Sequence, residues 1–302
     1  MTTTHQVQPT IGRHPQTRSA LAAAALLALA SLGAQAQAQA QDKISDGVVK
    51  IGILNDMTGV YADIVGPGAV IAAKMAIADF GGKVLGKPIE LIVADHQNKA
   101  DISAAKAREW FDTQQVDMLA DVAATAPALA ALNVARQKNK IALFPSAASS
   151  RLSNEDCSTV SVHWTYDTYA LAAGTGRGVV KTGGDTWFFL TADYAFGTNL
   201  EKDTTEVIKA EGGKVLGSVR HPLNASDFSS FLLQAQASKA KIIGLADAGG
   251  DMINAIKAAN EFGITKTQKL AALLVFINDI HSLGLPVAQG MLLTSAFYWD
   301  TN

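Results

Sequence analysis

The sequence has little of what several classes of protein require. It contains one cysteine, Cys157, so an intramolecular disulfide cannot form. Its 25 basic and 27 acidic residues nearly balance, and no Lys- or Arg-rich tail is present, which argues against nucleic acid as a partner. No apolar run after the N-terminal segment reaches the roughly 20 residues that a membrane helix needs. A disulfide scaffold, a nucleic-acid-binding protein and a chain embedded in a membrane are therefore all disfavoured.

Motifs for cofactor, metal and nucleophilic chemistry are also lacking. The glycine run Gly174-Thr175-Gly176-Arg177-Gly178 lies within a helical pattern, whereas a dinucleotide-binding turn directly follows a strand. No two histidines have the i, i+4 spacing that places a pair of metal ligands on one helix face. The Gly-x-Ser-x-Gly turn of many serine hydrolases does not occur. We therefore expect no cofactor, no metal and no enzymatic activity.

The N-terminal segment has the pattern of a secretory signal. Arg13 and Arg18 precede an apolar run at 20–32, and repeated Ala-Gln-Ala triplets follow that run. The apolar run is too short to span a bilayer comfortably. We therefore expect residues 1–40 to be a removed signal peptide, and the mature protein to be exported and soluble. Three bonds are candidates for cleavage, those after Ala36, Ala38 and Ala40.

The rest of the sequence alternates between short apolar runs and longer stretches with apolar residues at helical spacing. A first series has predicted strands at 48–54, 88–94, 117–122 and 141–144, with helices at 68–80, 102–113 and 127–138. Parallel strands need crossover connections, and those connections are almost always right-handed. This order therefore predicts a parallel sheet with helices on both faces.

A second series of the same kind follows residue 164. Its predicted helices lie at 169–182, 199–210, 228–237 and 252–262, and its strands at 186–190, 215–219, 241–246, 270–276 and 290–297. With 302 residues the chain is long enough for two lobes of ordinary size. The predicted fold class is α/β, with two doubly wound parallel-sheet lobes and a ligand cleft between them.

Open parallel sheets bind ligands beyond the carboxyl ends of their strands, where helix N-termini present unpaired N–H groups. In this chain those ends lead into loops at 55–68, 122–127, 144–152, 191–197, 246–251 and 276–281. The loops contain hydroxyl, acidic and aromatic residues, which suits capture of a small polar head on an organic body. Tyr61, Trp164 and Phe276 are aromatic side chains expected near such a cleft.

Short runs at these strands and loops are informative as a set. The first strand contains Lys50-Ile51-Gly52-Ile53, and Met57-Thr58-Gly59 follows it. Later runs are Phe144-Pro145-Ser146-Ala147-Ala148-Ser149, Asp193-Tyr194-Ala195-Phe196-Gly197 and His221-Pro222-Leu223. Together they resemble the periplasmic solute-binding proteins of the branched-chain amino-acid (leucine/isoleucine/valine-binding, type I) family, which serve ATP-driven importers. The resemblance covers nearly everything after the signal.

The resemblance implies two lobes that are joined by three crossings and close over a ligand by hinge motion. It places lobe 1 at residues 43–165 together with 291–302, and lobe 2 at residues 166–290. Members of the family normally continue well beyond the position of residue 302. The chain is therefore expected to stop before the end of the family fold, with lobe 1 incomplete.

The resemblance also implies a set of ligand contacts. Carboxylates in such proteins are held by hydroxyl and backbone N–H groups of the first lobe, which correspond here to Thr125 and to residues 146–149. Tyr194 and Phe196 would close over the ligand body from the second lobe. The complete predicted ligand-binding set is Tyr61, Thr125, Ser146, Ala147, Ala148, Ser149, Trp164, Tyr194, Phe196, Asp247, Ala248 and Phe276.

Two classes of ligand remain open. Relatives that bind amino acids place an acidic residue for the ammonium at the end of the strand predicted at 270–276, where this chain reads Ala-Ala-Leu-Leu-Val-Phe. Asp247 or Asp279 could supply that charge instead. The aromatic side chains expected near the cleft, Tyr166 among them, favour a carboxylate carried on an aromatic ring.

We therefore expect the extracytoplasmic binding component of an ATP-driven importer. It would be a periplasmic monomer that captures a small carboxylate, either a branched-chain amino acid or an aromatic acid, and contacts a membrane permease. A ligand-sensing regulatory protein of the same fold is one alternative. An exported serine hydrolase that uses Ser146 or Ser149 is another, although no base is identifiable in the sequence.

Overall fold

The computed structural model describes residues 46–298 and residue 300. The predicted signal peptide and its cleavage bonds lie outside the described residues. The chain from residue 48 onward forms one compact unit, whereas residues 46 and 47 belong to a separate unit. No helix in the described part of the chain is both long enough and apolar enough to cross a membrane.

The first half of the compact unit forms a six-stranded sheet with the strand order β2-β3-β1-β4-β5-β6. Its strands are β1 (Val49–Asn55), β2 (Lys83–Val84), β3 (Lys87–Asp95), β4 (Met118–Asp121), β5 (Ile141–Phe144) and β6 (Ser161–His163). All neighbouring pairs are parallel except β2 and β3, which form an antiparallel hairpin. The parallel arrangement predicted for the first series is confirmed. The edge strands β2 and β6 were not predicted, because two or three residues give no readable period.

Four helices connect the strands of this sheet. They are α1 (Ala62–Val65), α2 (Pro67–Asp79), α3 (Ala100–Thr113) and α4 (Thr125–Lys138). Helix α3 packs closely on β1 because Gly52 has no side chain: an added Cβ would overlap the Trp110 ring. Trp110, Leu119 and Phe144 are buried together in the core of this half. Helix α4 ends at Asn139, whose left-handed conformation is a common way to terminate a helix.

The second half forms a four-stranded, all-parallel sheet with the order β10-β9-β7-β8. Its strands are β7 (Thr186–Ala192), β8 (Lys214–His221), β9 (Ile242–Ala246) and β10 (Lys269–Ala272). Trp187 and Phe189 of β7 are fully buried, and the Trp187 indole N–H donates to Gly184 O over 2.8 Å. The helices that follow are α7 (Ala195–Ala210), α8 (Ser229–Ala237), α9 (Gly249–Glu261), α10 (Ile277–Leu283) and α11 (Leu285–Ala288).

The helix predicted at 169–182 is interrupted. It consists of α5 (Thr168–Leu171), a π-helical turn (Ala172–Gly176) and α6 (Arg177–Lys181). The turn lies against Thr294: an added Cβ on Gly174 would overlap its side chain, and Thr175 Oγ1 lies 2.9 Å from Thr294 Oγ1. A contact 119 residues away along the chain is thus associated with the irregular turn. The glycine run that resembles a nucleotide loop does lie in a helical segment.

The two strands predicted closest to the C-terminus differ from the structure. β10 ends at Ala272, four residues before the predicted end, and the segment predicted as a strand at 290–297 forms a single parallel bridge between Ala271 and Leu292. That bridge places Leu292 beside the second sheet. The return of residues 291–302 to the first lobe, which the resemblance implies, stays a prediction. Apolar composition alone does not distinguish an extended segment at a sheet edge from a strand.

Candidate ligand-binding cavity

Loops from both sheets meet around one cavity. Seven strands, β1, β4, β5 and β6 of the first sheet and β7, β9 and β10 of the second, contribute residues that follow their carboxyl ends. About 340 Å³ of the space that these loops surround is free of protein atoms, a figure that includes solvent at the open side of the cavity. This is the edge of the sheets at which the sequence predicts a ligand. The lining residues are Tyr61, Ile64, Val65, Ala123, Ala124, Thr125, Ser146, Ala148, Tyr166, Tyr194, Phe196, Ala248 and Leu274.

Thr125 is the first residue of α4 and is fully buried in the cavity wall. Its Oγ1 makes no hydrogen bond to any other group in the described part of the chain. The preceding residue, Ala124, has φ +60° and ψ 138°, a conformation that costs an L residue on the order of 1–3 kcal/mol and that is found mostly at functional sites. The first N–H groups of a helix have no partner within it, and no side chain in the described part of the chain caps α4. A hydroxyl, free amides and the positive end of the helix dipole thus coincide.

Tyr61 is positioned by the buried carboxylate of Asp56. Asp56 accepts hydrogen bonds from the backbone N–H of Gly59 at 2.7 Å and from that of Tyr61 at 3.0 Å, and thereby holds the turn after β1. The Tyr61 hydroxyl lies 2.8 Å from the Tyr194 hydroxyl, so one donates to the other across the two sheets. Burial raises the pKa of both phenols well above the usual range, so both are neutral. Phe196 lies beside Tyr194, with ring centroids 5.9 Å apart.

Ser146, which follows β5, is tied to a buried carboxylate outside the cavity lining. Its hydroxyl donates a short hydrogen bond to Asp121 Oδ1, and its backbone N–H also donates to that carboxylate. Asn55 Nδ2 donates to Asp121 Oδ2 over 2.8 Å, and Asn55 Oδ1 accepts from Ala123 N over 2.7 Å. Burial raises the pKa of Asp121 to about 6. The three strand ends β1, β4 and β5 are therefore linked by one polar network.

Seven of the twelve predicted residues line the cavity: Tyr61, Thr125, Ser146, Ala148, Tyr194, Phe196 and Ala248. The other five do not. Ala147 packs in the core of the first half. Ser149 Oγ accepts from Asn199 Nδ2 over 2.5 Å and caps a short 3₁₀ turn instead of facing the cavity. Trp164 is 66% exposed on the surface. Phe276 packs on Tyr166, with centroids 5.9 Å apart, and lines a neighbouring apolar cavity.

Asp247 is the fifth, and it faces the interior of the second half. It is fully buried, with Oδ2 3.4 Å from Nε2 of the equally buried His221. Burial raises the pKa of Asp247. Burial alone would lower the pKa of His221, but the contact with Asp247 raises it overall. Asp279 is also engaged, since it accepts the Phe276 backbone N–H over 2.8 Å at the start of α10. Neither acid considered for a ligand ammonium lines the cavity.

The sequence did not identify the remaining cavity residues. Tyr166 was expected near the cleft but not selected as a contact. Ile64 and Val65 lie in the helix α1, which has only four residues and is therefore too short to show a hydrophobic period in the sequence. Ala123 and Leu274 carry no polar or aromatic signal, and Ala124 is marked only by its backbone conformation, which the sequence does not show.

The hydrogen bonds of Ser146 and Ser149 among the described residues do not pair either hydroxyl with a histidine. The Ser146 hydroxyl donates to Asp121, and Ser149 Oγ accepts from Asn199. A nucleophilic serine needs a base, usually histidine, within hydrogen-bond reach. Between residues 46 and 298, the hydrogen bonds of these two hydroxyls do not involve a histidine. The geometry therefore does not support the hydrolase alternative.

The pKa of Asp121 gives a stability prediction. Because folding raises this pKa to about 6, the folded protein holds the proton more tightly than the unfolded chain does. The carboxyl therefore favours folding at low pH, and this contribution is lost as the pH rises through about 6. The isosteric change Asp121→Asn removes that dependence. Relative to wild type, the free energy of unfolding of the variant should rise by about 1 kcal/mol between pH 5.5 and pH 8. Urea titrations at the two pH values measure it, and a constant difference would contradict it.

Comparisons with known proteins agree with this fold. The periplasmic binding protein family matches residues 48–302. A solved periplasmic binding protein from Burkholderia mallei is 62% identical, with a TM-score of 0.84 over 85% of this chain and 69% of that chain. A branched-chain amino-acid ABC transporter periplasmic ligand-binding protein from Burkholderia xenovorans LB400 is 38% identical, with a TM-score of 0.70 over 84% and 68% of the two chains.

More distant relatives include a solute-binding protein of an ABC transporter from Rhodopseudomonas palustris BisB5, solved in complex with 3,4-dihydroxybenzoic acid. It is 26% identical, with a TM-score of 0.67 over 75% of this chain and 61% of that chain. A Leu/Ile/Val-binding protein homologue from Brucella abortus is 25% identical over 195 residues, 64% of this chain and 49% of its own. The chain thus spans about half the length of the curated relatives it matches. Its family match from β1 onward and its two parallel sheets show that the chain belongs to the periplasmic binding proteins, with the type I fold.

Proposed function

We propose that this protein is the extracytoplasmic solute-binding component of an ATP-driven importer, and that it captures a small carboxylate without covalent chemistry. The observation that carries the proposal is the Thr125 hydroxyl at the N-terminus of α4, which is buried in the wall of a cavity built by both sheets and has no hydrogen-bond partner in the described part of the chain. Membership of the periplasmic binding protein family supports the same role and a periplasmic location.

The carboxylate would bind at the start of α4. An unpaired buried hydroxyl costs about 1–3 kcal/mol, and a charged acceptor placed against it recovers that cost. The free N–H groups and the dipole of the helix favour an anion at the same place. One ligand oxygen bound to Thr125 Oγ1 and another bound to the helix amides would satisfy all of these groups.

The body of the ligand would lie among the apolar lining. Tyr61, Tyr194 and Phe196 offer ring faces, and Ile64 and Leu274 add aliphatic surface. Such walls suit an aryl ring or a branched aliphatic chain. The Rhodopseudomonas relative was solved with an aromatic acid, and the Burkholderia xenovorans relative is described as a branched-chain amino-acid transporter protein. Both classes therefore belong in the first ligand panel.

Binding would act by closing two lobes, with residues 43–165 and 291–302 assigned to the first and residues 166–290 to the second. Hydrogen bonds between the two sides include Tyr61 to Tyr194, Gly250 N to Val60 O over 3.0 Å, and Asn278 Nδ2 to Asp63 O over 2.7 Å. A ligand that contacts both sides of the cavity would favour the form in which these bonds exist. A membrane permease would recognise that closed form, with the binding protein acting as a monomer.

Calorimetric titration tests the proposal. The panel comprises leucine, isoleucine, valine, benzoate, 4-hydroxybenzoate and 4-hydroxycinnamate. We expect at least one member to bind with a dissociation constant in the micromolar range or below and to raise the melting temperature. Leucinol and benzamide keep the bodies of these ligands but lack the carboxylate, and they should bind far more weakly. Absence of binding by the whole panel, or equal binding of the two controls, would contradict the proposal.

A further inference from the structure

The polar network behind Ser146 has a fixed hydrogen-bonding direction. The Ala123 backbone N–H can only donate, so the Asn55 side-chain atom that faces it is the oxygen. The amide nitrogen of Asn55 therefore faces Val65 O at 2.7 Å and Asp121 Oδ2 at 2.8 Å, and it donates to both. Asp121 Oδ2 is consequently an acceptor in every state of the protein. Only Oδ1, which contacts Ser146, is free to gain or lose a proton.

The state of Asp121 Oδ1 decides what Ser146 offers to the cavity. When the carboxylate is ionised, the Ser146 hydroxyl donates its only hydrogen to Oδ1, so it can only accept a hydrogen bond from a ligand. When Oδ1 carries a proton, it donates to Ser146, and the hydroxyl hydrogen becomes free to point elsewhere. Ser146 is then a donor. The two hydroxyls of the cavity therefore differ. Among the described residues the Thr125 hydroxyl has no hydrogen-bond partner and can donate to a ligand, whereas the Ser146 hydroxyl already donates to Asp121.

We propose that Asp121 is a positioning residue that holds Ser146 as an acceptor, so that the cavity selects carboxylates bearing a hydrogen-bond donor, either an ammonium or a phenolic hydroxyl. This inference rests on the proposed function, because it assigns the second polar contact of the same ligand. The carboxylate binds at Thr125 and the donor of the ligand binds at Ser146. A carboxylate without a donor leaves the Ser146 lone pairs unpaired and binds more weakly.

The other titratable groups around Asp121 are neutral or held by partners of their own. The charge of Asp121 itself therefore decides whether Ser146 donates or accepts near neutral pH. Tyr166, after β6, is uncharged because burial raises its pKa. His96, after β3, donates from Nε2 to Ala123 O over 2.9 Å, and burial lowers its pKa. Asp56, after β1, is held by its own backbone donors. With a pKa of about 6, Asp121 is mostly ionised at pH 7.5 and mostly protonated at pH 5.

The test measures ratios of affinity within matched ligand pairs. One pair is 4-hydroxybenzoate and benzoate, and the other is leucine and 4-methylpentanoate, which lacks the ammonium. In wild type at pH 7.5 we expect the donor-bearing member of at least one pair to bind tenfold tighter or more. The pair that shows the preference identifies the donor as a phenol or an ammonium. In wild type at pH 5 the preference should shrink severalfold.

Asp121→Asn imitates the protonated carboxyl, since its amide can donate to Ser146. In this variant the preference should fall to about twofold or less, or reverse, and should not change with pH. Ser146→Ala should abolish the preference, and adding Asp121→Asn to it should then change nothing further. Asp279→Asn is the matched control, because Asp279 is also buried with a pKa of about 6 but lies outside the cavity lining. It should keep the wild-type ratio.

Three outcomes overturn the inference. An Asp121→Asn protein that binds both members of a pair with the wild-type ratio would refute it and leave the proposed function intact. Equal affinity within both pairs for wild type at pH 7.5 would do the same. A wild-type protein that binds no member of either pair at either pH would refute the proposed function as well.

Discussion

Thr125→Val should weaken binding of the carboxylate ligand by about tenfold to a hundredfold. Valine has nearly the shape of threonine but lacks Oγ1, which is buried at the start of α4 without a hydrogen-bond partner among the described residues. A hydrogen bond from a hydroxyl to a charged group contributes about 1.5–3 kcal/mol, which corresponds to that loss of affinity. The melting temperature of the free protein should be unchanged or higher, because the variant no longer buries an unsatisfied hydroxyl. Isothermal titration and thermal denaturation measure the two effects.

Thr204→Val is a matched control for this prediction. Thr204 lies on α7, is fully buried, and has an Oγ1 without a partner in the described residues, but it does not line the cavity. The same chemical change there should leave affinity within twofold of wild type. If Thr125→Val and Thr204→Val bound the ligand equally well, the carboxylate would have to lie elsewhere.

Gly249→Ala should reduce affinity at least tenfold by preventing two loops from meeting. Gly249 has φ +57°, in the left-handed region that favours glycine, and an added Cβ would overlap Val60 O in the turn after β1. The next residue, Gly250, donates its N–H to the same carbonyl over 3.0 Å. Displacing this turn would also move Tyr61 away from Tyr194, whose hydroxyls are 2.8 Å apart. The closed arrangement would lose several contacts at once, and titration with the best ligand of the panel measures the loss.

Gly263→Ala separates the steric contact from backbone strain. Gly263 has φ +68°, so alanine is strained there too, but the nearest atom to an added Cβ is Lys266 Cδ at 3.6 Å, in a flexible side chain. Both variants should lose about 1–2 kcal/mol of stability from the left-handed conformation. Only Gly249→Ala should lose affinity. A similar affinity for the two variants would show that the contact between Gly249 and Val60 does not contribute to closure.

The sequence predicted the cavity by a rule about sheets more than by individual residues. Hydrophobic periodicity located the strands that end at Asn55, Asp121, Phe144 and Ala246 to within one residue, and parallel pairing then required their carboxyl ends to share an edge. The family resemblance selected Thr125, Ser146 and Ala248 as ligand contacts, and each of them follows such an end closely. The strand predicted at 270–276 is too long, but its carboxyl end was correctly expected near the cavity, and Leu274 forms part of the cavity wall.

The direction in which a side chain points was beyond the reach of such a rule. Ser146, Ala147 and Ser149 lie within four positions of one loop, yet Ser146 lines the cavity, Ala147 enters the core, and Ser149 bonds to Asn199 on α7. Asp247 and Ala248 are adjacent, but the carboxylate turns inward to His221. The hydrogen-bonding or charged partners of Ser146, Asp247 and Ser149 lie 25 to 50 residues away along the chain.

The sequence by itself determined the class of fold, the order of most elements and the edge where a ligand would bind, because these depend on local periodicity and on the geometry of parallel strands. Only the tertiary structure decided which cavity hydroxyl lacks a hydrogen-bond partner among the described residues and which one donates to a carboxylate. Thr125 and Ser146 look equivalent along the chain. The Ser146 hydroxyl donates its hydrogen to Asp121, whereas the Thr125 hydroxyl has no hydrogen-bond partner in the described chain. Hydrogen-bond satisfaction is a property of groups brought together from distant positions, and only folding assembles them.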